Sequence, residues 1–373
     1  MGKKIRVLSV NPGSTSTKIA LFDDHDEIFS ATINHPSHEF KDFKEVQDQL
    51  AYRRDTIERT IKEKGYDMSG VDVFAGRGAG VYSVTGGTYE LTDLFVEHAS
   101  QGIPGQHPAQ LASQICKQFA DKYGKRAFTV NPPDVDEFDD VSRVCGLKGV
   151  YRESHIHALN QKEVALRFCK ERGLKYEETN LVICHIGGGI SITAHRNGRM
   201  IDSNDIIKGS GPMSPTRAGD MSYITIVNMA YSGEFTKKQL VDKLNRDGGL
   251  MDHLGTADGR DVERMVNEGD KYAELVIDGM IHQCAKYAGA MSVALKGDVK
   301  AIILTGGMSK WEDFTNKMKE YLSWITEVVV MPGEFEIEAL AAGALRVMRG
   351  EEEAKTYTGV PVWNGFKLEE VQV

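Results

Sequence analysis

The chain has 373 residues, more than a single hydrophobic core usually organises, so we expect two domains. Apolar residues make up 41% and charged residues 27%, a composition typical of a folded globular protein rather than a disordered or membrane-spanning one. The formal net charge of −9 argues against a basic surface for nucleic acid or anionic membranes. The five cysteines are widely separated and form no C-x-x-C pair, which predicts neither a disulfide framework nor a zinc site.

Neither a signal peptide nor a transmembrane helix is expected. The apolar run at residues 5–10 is too short for the hydrophobic region of a signal peptide, and it lacks a small-residue cleavage site. The longest apolar helical stretch, residues 272–295, contains ionisable side chains that a bilayer core tolerates poorly. We therefore expect a cytoplasmic protein without a membrane segment.

A three-stranded antiparallel meander is predicted near the start of each half of the chain. Both copies show an apolar strand, a turn with glycine, a second strand, a polar turn and a third strand. The predicted strands are residues 5–10, 18–22 and 27–33 in the first copy and residues 181–184, 190–194 and 200–203 in the second. This repetition predicts duplicated domains.

A second repeated feature is a later strand that ends in glycines. Residues 71–75 lead into the turn 76–80, and residues 301–304 lead into the turn 305–307. Helical periodicity fills the intervals, at residues 43–64, 108–122, 155–172, 236–245, 258–267, 272–295 and 334–349. The predicted fold class is α/β with mixed sheets, and the predicted domain boundary lies near residue 150.

The first glycine turn, residues 11–18, combines a glycine, four hydroxyls and a lysine directly after a strand. Backbone amides, hydroxyls and an ammonium group can together cradle phosphate oxygens. The turn is not a Walker A motif, because its spacing differs and a strand rather than a helix follows. The alternative is an ordinary hairpin turn, since Asn, Gly and Ser are common turn residues. The chain has no G-x-G-x-x-G run, which disfavours a Rossmann dehydrogenase.

The second glycine turn, residues 185–191, places three consecutive glycines between two strands. Such glycines cost backbone entropy and add no packing, which favours close approach of the backbone to a ligand. A β-bulge is the alternative interpretation. Two such loops at equivalent places in duplicated halves would clamp a polyphosphate from both sides.

Further segments match a known pattern along nearly the whole chain. They are residues 11–18, 76–80, 157–162, 185–191, 216–220, 256–261, 305–308 and 332–344. Together they resemble the butyrate kinases of the acetate/butyrate kinase family, within the superfamily of sugar kinases and actin. The resemblance implies two duplicated actin-like (ribonuclease H-like) domains, each with a mixed five-stranded sheet flanked by helices, and a nucleotide cleft between them. It implies a first domain at residues 1–150, with the segment 339–373 packing back on it, and a second domain at residues 151–338.

The resemblance also implies an ATP site. The residues that it assigns to the phosphates, the ribose and the adenosine pocket are Asn11, Ser14, Ser16, Lys18, His185, Gly187, Gly188, Gly189, Asp258, Arg260, Thr305, Gly306 and Gly307. Of these, Asp258 and Arg260 match the ribose and adenine side, and residues 305–307 match the adenosine pocket.

The remaining matches fall on the acyl and metal side of the reaction. Arg77 and Arg217 match two arginines that bind the carboxylate and the transferring phosphoryl group in acetate kinases. His157 matches a transition-state histidine, and His107 matches a further histidine of the acyl side. Glu338 matches a glutamate linked to Mg²⁺, with Asn11 nearby.

One position departs from the family pattern. Related kinases carry an aspartate in the segment where this chain has Asn131, which leaves Asp134 or Asp136 as the nearby carboxylates. The sequence therefore leaves open whether Asn131, Asp134 or Asp136 takes the place of the family aspartate at the metal site.

The chemistry explains why such residue types are needed. A carboxylate that approaches the γ-phosphate of ATP meets several negative charges, so the site must neutralise repulsion and spread charge. Guanidinium groups suit this task because they are always charged and offer a planar fork. A carboxylate is already deprotonated near neutral pH, so the histidines would donate hydrogen bonds rather than abstract a proton. Direct transfer is favoured, since no activated nucleophile is evident.

Each candidate also has a structural alternative. Either arginine could form a surface or structural ion pair, and His157 could be a satisfied core histidine. Glu338 could be a first-turn acid that the helix dipole favours.

The predicted reaction is butanoate + ATP = butanoyl phosphate + ADP. Acetate, propionate or branched-chain acids are alternative substrates, and an actin-like switch ATPase is a more distant alternative. By resemblance, Ala79 and Ile156 stand where acetate kinases carry valine and phenylalanine, which predicts a wider acyl pocket. A homo-oligomer is also expected.

Overall fold

The computed structural model describes residues 4–41, 43–103 and 105–366. Two compact units divide the chain. Unit 1 comprises the residues up to Asp136 together with the segment from Phe335, and unit 2 comprises Glu137–Glu334. These limits lie earlier in the chain than the predicted limits near 150 and 338. The last residues of the predicted returning segment, 367–373, lie outside the described residues.

The elements alternate between strands and helices along the chain. The strands are β1 (Arg6–Pro12), β2 (Ser16–Asp23), β3 (Asp26–Asn34), β4 (Val73–Gly76), β5 (Thr88–Glu90), β6 (Arg126–Val130), β7 (Leu181–Ile186), β8 (Ile190–Arg196), β9 (Arg199–Ser203), β10 (Ala301–Thr305) and β11 (Val328–Val330). The α-helices are α1 (Leu50–Glu63), α2 (Asp93–Gln101), α3 (Gln110–Tyr123), α4 (Asp140–Arg143), α5 (Ala158–Glu171), α6 (Tyr223–Tyr231), α7 (Lys237–Asn245), α8 (Leu250–Leu254), α9 (Gly259–Asn267), α10 (Lys271–Ala294), α11 (Glu312–Leu322) and α12 (Glu336–Met348). Short 3-10 helices cover Ser37–Phe40, Val46–Gln49, Met68–Gly70, Tyr176–Glu178 and Gly307–Lys310.

The sheet of unit 1 is mixed and has the order β3-β2-β1-β4-β6-β5. Strands β1 to β3 form the predicted antiparallel meander, and β4 and β6 continue the sheet in parallel with β1. The predicted count of five strands is wrong for this sheet, because β5 adds a sixth at its edge. With three residues, β5 is too short to produce an alternating pattern in the sequence. Helices α3 and α12 pack on the sheet.

The sheet of unit 2 has the predicted five strands, in the order β11-β10-β7-β8-β9. Strands β7 to β9 form the second predicted meander, and β10 lies parallel to β7 and β11. The 24-residue helix α10 packs across β7, β8 and β9 and carries ten buried residues. Both sheets thus join an antiparallel meander to parallel strands, which confirms the predicted mixed α/β fold.

The helices that the periodicity predicted are present as α1, α3, α5, α7, α9, α10 and α12. Their ends lie within three residues of the predicted ones, except that α1 begins at Leu50 rather than at residue 43. Among the helices that it missed is α6, whose sequence YITIVNMAY is largely apolar and buries none of its residues. Without a contrast between a buried and an exposed face, no helical period is visible. In the described ranges, no helix has the length and apolar character needed to cross a bilayer.

Close backbone packing fixes α12 on the sheet of unit 1. A Cβ built on Gly343, in the middle of this helix, would lie 2.5 and 2.6 Å from the two γ-carbons of Val130 in β6. Glycine at this position lets the helix axis approach the strand by about the size of one methyl group. The first turn of α12 contains Glu336 and Glu338, so this packing also places both acids.

We expect Gly343→Ala to destabilise unit 1 by about 1–3 kcal/mol through overpacking, although alanine has the higher helix propensity by about 1 kcal/mol. Gly289→Ala is the matched control, because it lies inside α10 with no described atom within 4 Å of the new Cβ. The control should gain about 0.5–1 kcal/mol. Denaturant unfolding of both variants measures the difference. Equal stabilisation of the two would contradict the close packing of α12.

Candidate active site

The glycine turn after β7 is placed by strand pairing in unit 2. The parallel register sets Thr305 of β10 opposite His185 of β7, so both strands end at the same edge of the sheet. Gly306 follows with a φ of +92°, and a Cβ on it would lie 2.4 Å from the carbonyl oxygen of Ile186. Only glycine fits there without strain. The two predicted glycine turns of unit 2 are therefore in contact.

The His185 ring is held from one side by helix α5. Asn160 Nδ2 lies 2.9 Å from His185 Nδ1 and 3.4 Å from Thr305 Oγ1. Because an amide NH₂ only donates, His185 Nδ1 accepts and Nε2 carries the ring hydrogen. A Cβ built on Gly187 would lie 3.3 Å from that Nε2, so the N–H is beside the glycine turn.

His157 stacks on His185 at the start of α5. The ring centroids are 3.9 Å apart and the planes differ by 18°. His157 Nδ1 lies 2.8 Å from Ser191 Oγ, at the start of β8. A Cβ on Gly189 would lie 3.4 Å from His157 Cε1. The two histidines and the glycine turn thus form one cluster.

Arg217 completes this cluster from the loop before α6. Ser214 Oγ, Thr216 Oγ1 and, at longer range, Arg217 Nη1 approach the carbonyl oxygen of Gly188 at 3.1, 3.2 and 3.5 Å. A Cβ on Gly189 would lie 2.3 Å from Arg217 Nη1. Burial alone lowers the pKa of Arg217, and no described carboxylate forms an ion pair with it. The guanidinium therefore lacks an anionic partner within the described part of the chain.

Asp258 and Arg260 lie next to the cluster but bind each other. Arg260 Nη2 is 2.5 Å and Nε is 3.0 Å from the Asp258 carboxylate, which also accepts from the Arg260 amide at the start of α9. This side-chain hydrogen bond lowers the pKa of Asp258 to about 2. A Cβ on Gly259 would lie 2.3 Å from Met308 Sδ, so the start of α9 packs against the turn at 305–307.

In unit 1, Asn11 and Arg77 converge on a residue that the sequence did not single out. Asn11 Nδ2 and Arg77 Nη1 donate to the same oxygen, Glu336 Oε2, over 2.7 and 2.8 Å. Arg77 is therefore charge-compensated, unlike Arg217. Its Nε is buried and has no hydrogen-bond partner among the described residues. Glu336 stood inside a matched segment, but only the folded chain distinguishes it from Glu338.

His107 lies in the field of this ion pair. Desolvation and the Arg77 charge lower the pKa of its imidazole, while Glu336 opposes them. His107 is an exposed residue, but neighbouring protein atoms surround its imidazole closely enough for desolvation to be the largest influence on its pKa. It therefore stays neutral to a lower pH than a free histidine and can donate or accept a hydrogen bond.

The glycine turn of unit 1 is held from beneath by Arg53, which the sequence did not indicate. This fully buried side chain donates to the carbonyl oxygens of Ser14 and Ser16, each over 3.2 Å. Lys18 is exposed on β2, directly opposite Asn11 on β1. The predicted phosphate loop thus presents Ser14, Ser16 and Lys18 on a scaffold fixed by a buried cation.

The predicted site residues separate into two sets. Unit 1 contains Asn11, Ser14, Ser16, Lys18, Arg77, His107 and Glu338, and unit 2 contains His157, His185, Gly187, Gly188, Gly189, Arg217, Asp258, Arg260, Thr305, Gly306 and Gly307. Asn131, which the sequence left as a candidate for the metal site, has a structural contact in unit 1. It has a φ of +40°, and its Oδ1 accepts the Gly87 N–H over 2.7 Å, so its side chain holds a turn.

The fold is that of the acetate kinases. The crystal structure of an acetate kinase from Porphyromonas gingivalis matches with a TM-score of 0.75 and 19% identity, over 92% of this chain and 100% of that protein. A propionate kinase from Francisella tularensis matches with a TM-score of 0.72 and 16% identity, over 91% and 98%. At these identities the likeness establishes the architecture.

Sequence similarity establishes the family. Butyrate kinase 2 from Clostridium acetobutylicum is 38% identical over 354 residues, which cover 95% of this chain and 99% of that protein. The model of the acetokinase family matches residues 148–322. The chain belongs to the acetokinase family, whose members are ATP-dependent carboxylate kinases.

Gly189→Ala should displace the Arg217 guanidinium, because the new Cβ would take the place of Nη1. A long side chain can move away at little cost, so we expect unchanged thermal stability and a loss of turnover of about 100-fold. Gly188→Ala is the matched control, since no described atom lies within 4 Å of its Cβ. It should spare the position of Arg217 and act, if at all, on nucleotide affinity. Equal turnover in the two variants would show that the position of Arg217 does not affect catalysis.

Proposed function

We propose that this chain transfers the γ-phosphoryl group of ATP to the carboxylate of a short-chain fatty acid, with butanoate as the preferred acid. The observation that carries the proposal is Arg217: a half-buried guanidinium without an acidic partner among the described residues, beside a glycine turn and two stacked histidines. A half-buried cation without an acidic partner favours binding of an anion. Family membership supports the reaction class.

In the transfer step, a carboxylate oxygen attacks the γ-phosphorus and forms a new P–O bond. The bond between that phosphorus and the β–γ bridging oxygen breaks, and ADP leaves with its electron pair. No proton needs to move, because the carboxylate is already ionised near neutral pH. The protein's task is therefore to position the two anions and to spread the charge on the equatorial oxygens.

The residues of unit 2 take the nucleotide and the transferring group. His185 Nε2–H and the glycine turn bind phosphate oxygens, and residues 305–307 with Asp258 and Arg260 bind the nucleoside side. The fork of Arg217 and the His157 ring stabilise the equatorial oxygens in the transition state. The phosphate and phosphoryl roles use groups that donate hydrogen bonds or carry positive charge, whereas Asp258 is an ionised carboxylate that accepts them.

The residues of unit 1 take the acid and further phosphate contacts. Arg77 binds the substrate carboxylate through those guanidinium nitrogens that do not donate to Glu336. His107 adds a hydrogen bond to the same carboxylate. Ser14, Ser16 and Lys18 contribute phosphate contacts from the loop that Arg53 holds. Glu336 orients Arg77, so the ion pair is a positioning device rather than a substitute for substrate binding.

Mg²⁺ is part of the proposal, and the residues fit it. Glu338 Oε2 is buried without a hydrogen-bond partner in the described ranges, a costly arrangement that a bound cation would relieve. No described group of three or more His, Cys, Asp or Glu residues could hold a metal by itself. This agrees with Mg²⁺, which is often bound by one or two carboxylates together with substrate phosphates and water. Glu338, with Asn11 nearby, would hold it, and it would neutralise phosphate charge.

We also propose a cytoplasmic homo-oligomer. The support for association is α6, which exposes Tyr223 and Tyr231 to 81% and 88% and Ile224 to 61%. A helix with so much exposed apolar surface favours burial against another chain. Sedimentation of the purified protein tests this part of the proposal.

Arg217→Lys should lower kcat by about 100-fold while the dissociation constant of ATP stays within about twofold. The reason is that the planar fork acts mainly on the transferring phosphoryl group, for which a point charge is a poor replacement. Arg196→Lys, an identical change at a partly exposed ion pair with Asp139, is the control and should leave kcat unchanged. If ATP affinity fell in step with kcat, Arg217 would be an ordinary nucleotide contact.

The acid preference is tested by a coupled assay with ATP and Mg²⁺ over acetate, propionate, butanoate, isobutanoate and valerate. Butanoate should exceed acetate about tenfold or more in kcat/KM, because each buried methylene contributes roughly 0.8 kcal/mol. Ala79 and Ile156 are both buried, in units 1 and 2. Ala79→Val, alone and with Ile156→Phe, should shift the preference toward shorter acids without changing ATP affinity. Equal losses for all acids, or a wild type that prefers acetate, would overturn the pocket assignment.

A further inference from the structure

A line of buried polar side chains leads from the interior of unit 2 to His157. Tyr176 OH lies 2.7 Å from His195 Nδ1, and His195 Nε2 lies 2.9 Å from Gln161 Oε1. Gln161 Nε2 lies 2.7 Å from Ser191 Oγ, which in turn lies 2.8 Å from His157 Nδ1. Gln161, Ser191 and His195 are fully buried and Tyr176 is 5% exposed. We call these four residues the relay.

Gln161, at the centre of the relay, determines which group donates and which accepts in each of its hydrogen bonds. Gln161 Nε2 also lies 3.0 Å from the backbone carbonyl oxygen of Ser191, an atom that can only accept. This contact determines the orientation of the amide, so Gln161 Oε1 faces His195 as an acceptor. His195 must therefore carry its hydrogen on Nε2, and Nδ1 accepts from the Tyr176 hydroxyl.

His195 keeps this arrangement at neutral pH. Burial, together with the nearby Lys162 charge, holds the pKa of His195 well below its ordinary value. A neutral imidazole has one donor and one acceptor nitrogen, which matches the acceptor on one side and the hydroxyl on the other. Each hydrogen bond between Tyr176 and Ser191 thus has one defined donor and one defined acceptor.

At the other end, Ser191 transmits this direction to His157. Ser191 Oγ accepts from Gln161 Nε2 and, over 3.4 Å, from the His157 backbone N–H. Its own hydrogen then points to His157 Nδ1, since the described residues offer the buried hydroxyl no other acceptor. His157 Nδ1 is therefore the acceptor, and the ring hydrogen lies on Nε2.

We propose that Gln161 and His195 are positioning residues that hold His157 as the Nε2–H tautomer, so that it donates a hydrogen bond to the transferring phosphoryl group. This inference rests on the proposed function for the identity of the acceptor. In the other tautomer, His157 would direct a lone pair at an anionic oxygen and repel it. The stacked neighbour His185 is held in the same tautomer by Asn160, so both rings present Nε2–H.

A direct test is the protonation site of His157 in the intact protein. Two-bond ¹H–¹⁵N NMR correlation on protein with ¹⁵N-labelled histidine distinguishes the tautomers at pH 8, and a His157→Gln sample assigns the signal. We expect Nε2–H in the wild type and a mixture of tautomers in Gln161→Leu. A wild-type ring protonated on Nδ1, or an unchanged single tautomer in Gln161→Leu, would overturn the proposal.

Kinetics provide the second readout. Gln161→Leu should lower kcat by about tenfold or more, with KM for ATP and acid within about twofold, because the lost donor acts in the transition state. Thr193→Val is the matched control, because it removes a fully buried side-chain hydrogen bond, to Ser203 Oγ at 2.9 Å, from β8 and leaves the hydrogen bonds of the relay in place. It should retain kcat. An equal loss in both variants would indicate a merely structural effect and overturn the proposal.

His195 supplies a rescue experiment that does not depend on the folding of Gln161→Leu. His195→Leu removes the donor to Gln161, whereas His195→Gln can restore an N–H near the position of Nε2. We expect His195→Leu to lose kcat and His195→Gln to recover most of it, and equal activity of the two would contradict the relay. If the wild type phosphorylates no acid, the proposed function fails, while the tautomer measurement still decides the relay.

Discussion

The parallel pairing of β7 with β10 is the constraint on which the site of unit 2 depends. Carboxyl ends of neighbouring parallel strands meet at one edge of a sheet, so His185 and Thr305 arrive side by side and their glycine turns touch. The contact leaves no room for a side chain at Gly306. The loop that carries Arg217 then attaches to the carbonyl oxygen of Gly188 through hydroxyl donors. Strand pairing and side-chain hydrogen bonds to a backbone carbonyl group thus place the residues of the candidate site in unit 2.

The two arginines of the candidate site, Arg77 and Arg217, differ in whether a carboxylate of the chain neutralises their charge. Arg77 is paired with Glu336, which fixes the direction of its fork but offsets its charge. Arg217 has no such partner among the described residues, and its burial disfavours the charged form. An unpaired, partly desolvated cation costs stability in the free protein and regains it when an anion binds. The paired arginine is therefore suited to orientation, and the unpaired one to stabilising charge that develops during transfer.

Buried polar groups support the candidate residues of each unit separately. In unit 1, Arg53 fixes the backbone of the first glycine turn. In unit 2, Asn160 sets the tautomer of His185, and the relay ends at His157. Each of these groups is buried, where an unsatisfied donor or acceptor would be costly. Satisfying every member of such a network leaves few alternative arrangements, and so buried residues specify which ring nitrogen of His157 and His185 carries the hydrogen.

Local patterns in the sequence determined the two meanders, the glycine turns, seven of the helices and the mixed α/β class, because strand alternation and helical periodicity record which side of each element is buried. They missed α6, which has no buried face, and β5, which is too short to alternate. Only the tertiary structure decided that Glu336, not Glu338, binds Asn11 and Arg77, and that Ser191 and Gln161 stand behind His157. These contacts join residues as many as 325 positions apart, and no local pattern records them, since they depend on strand register and on how closely a helix can approach its sheet.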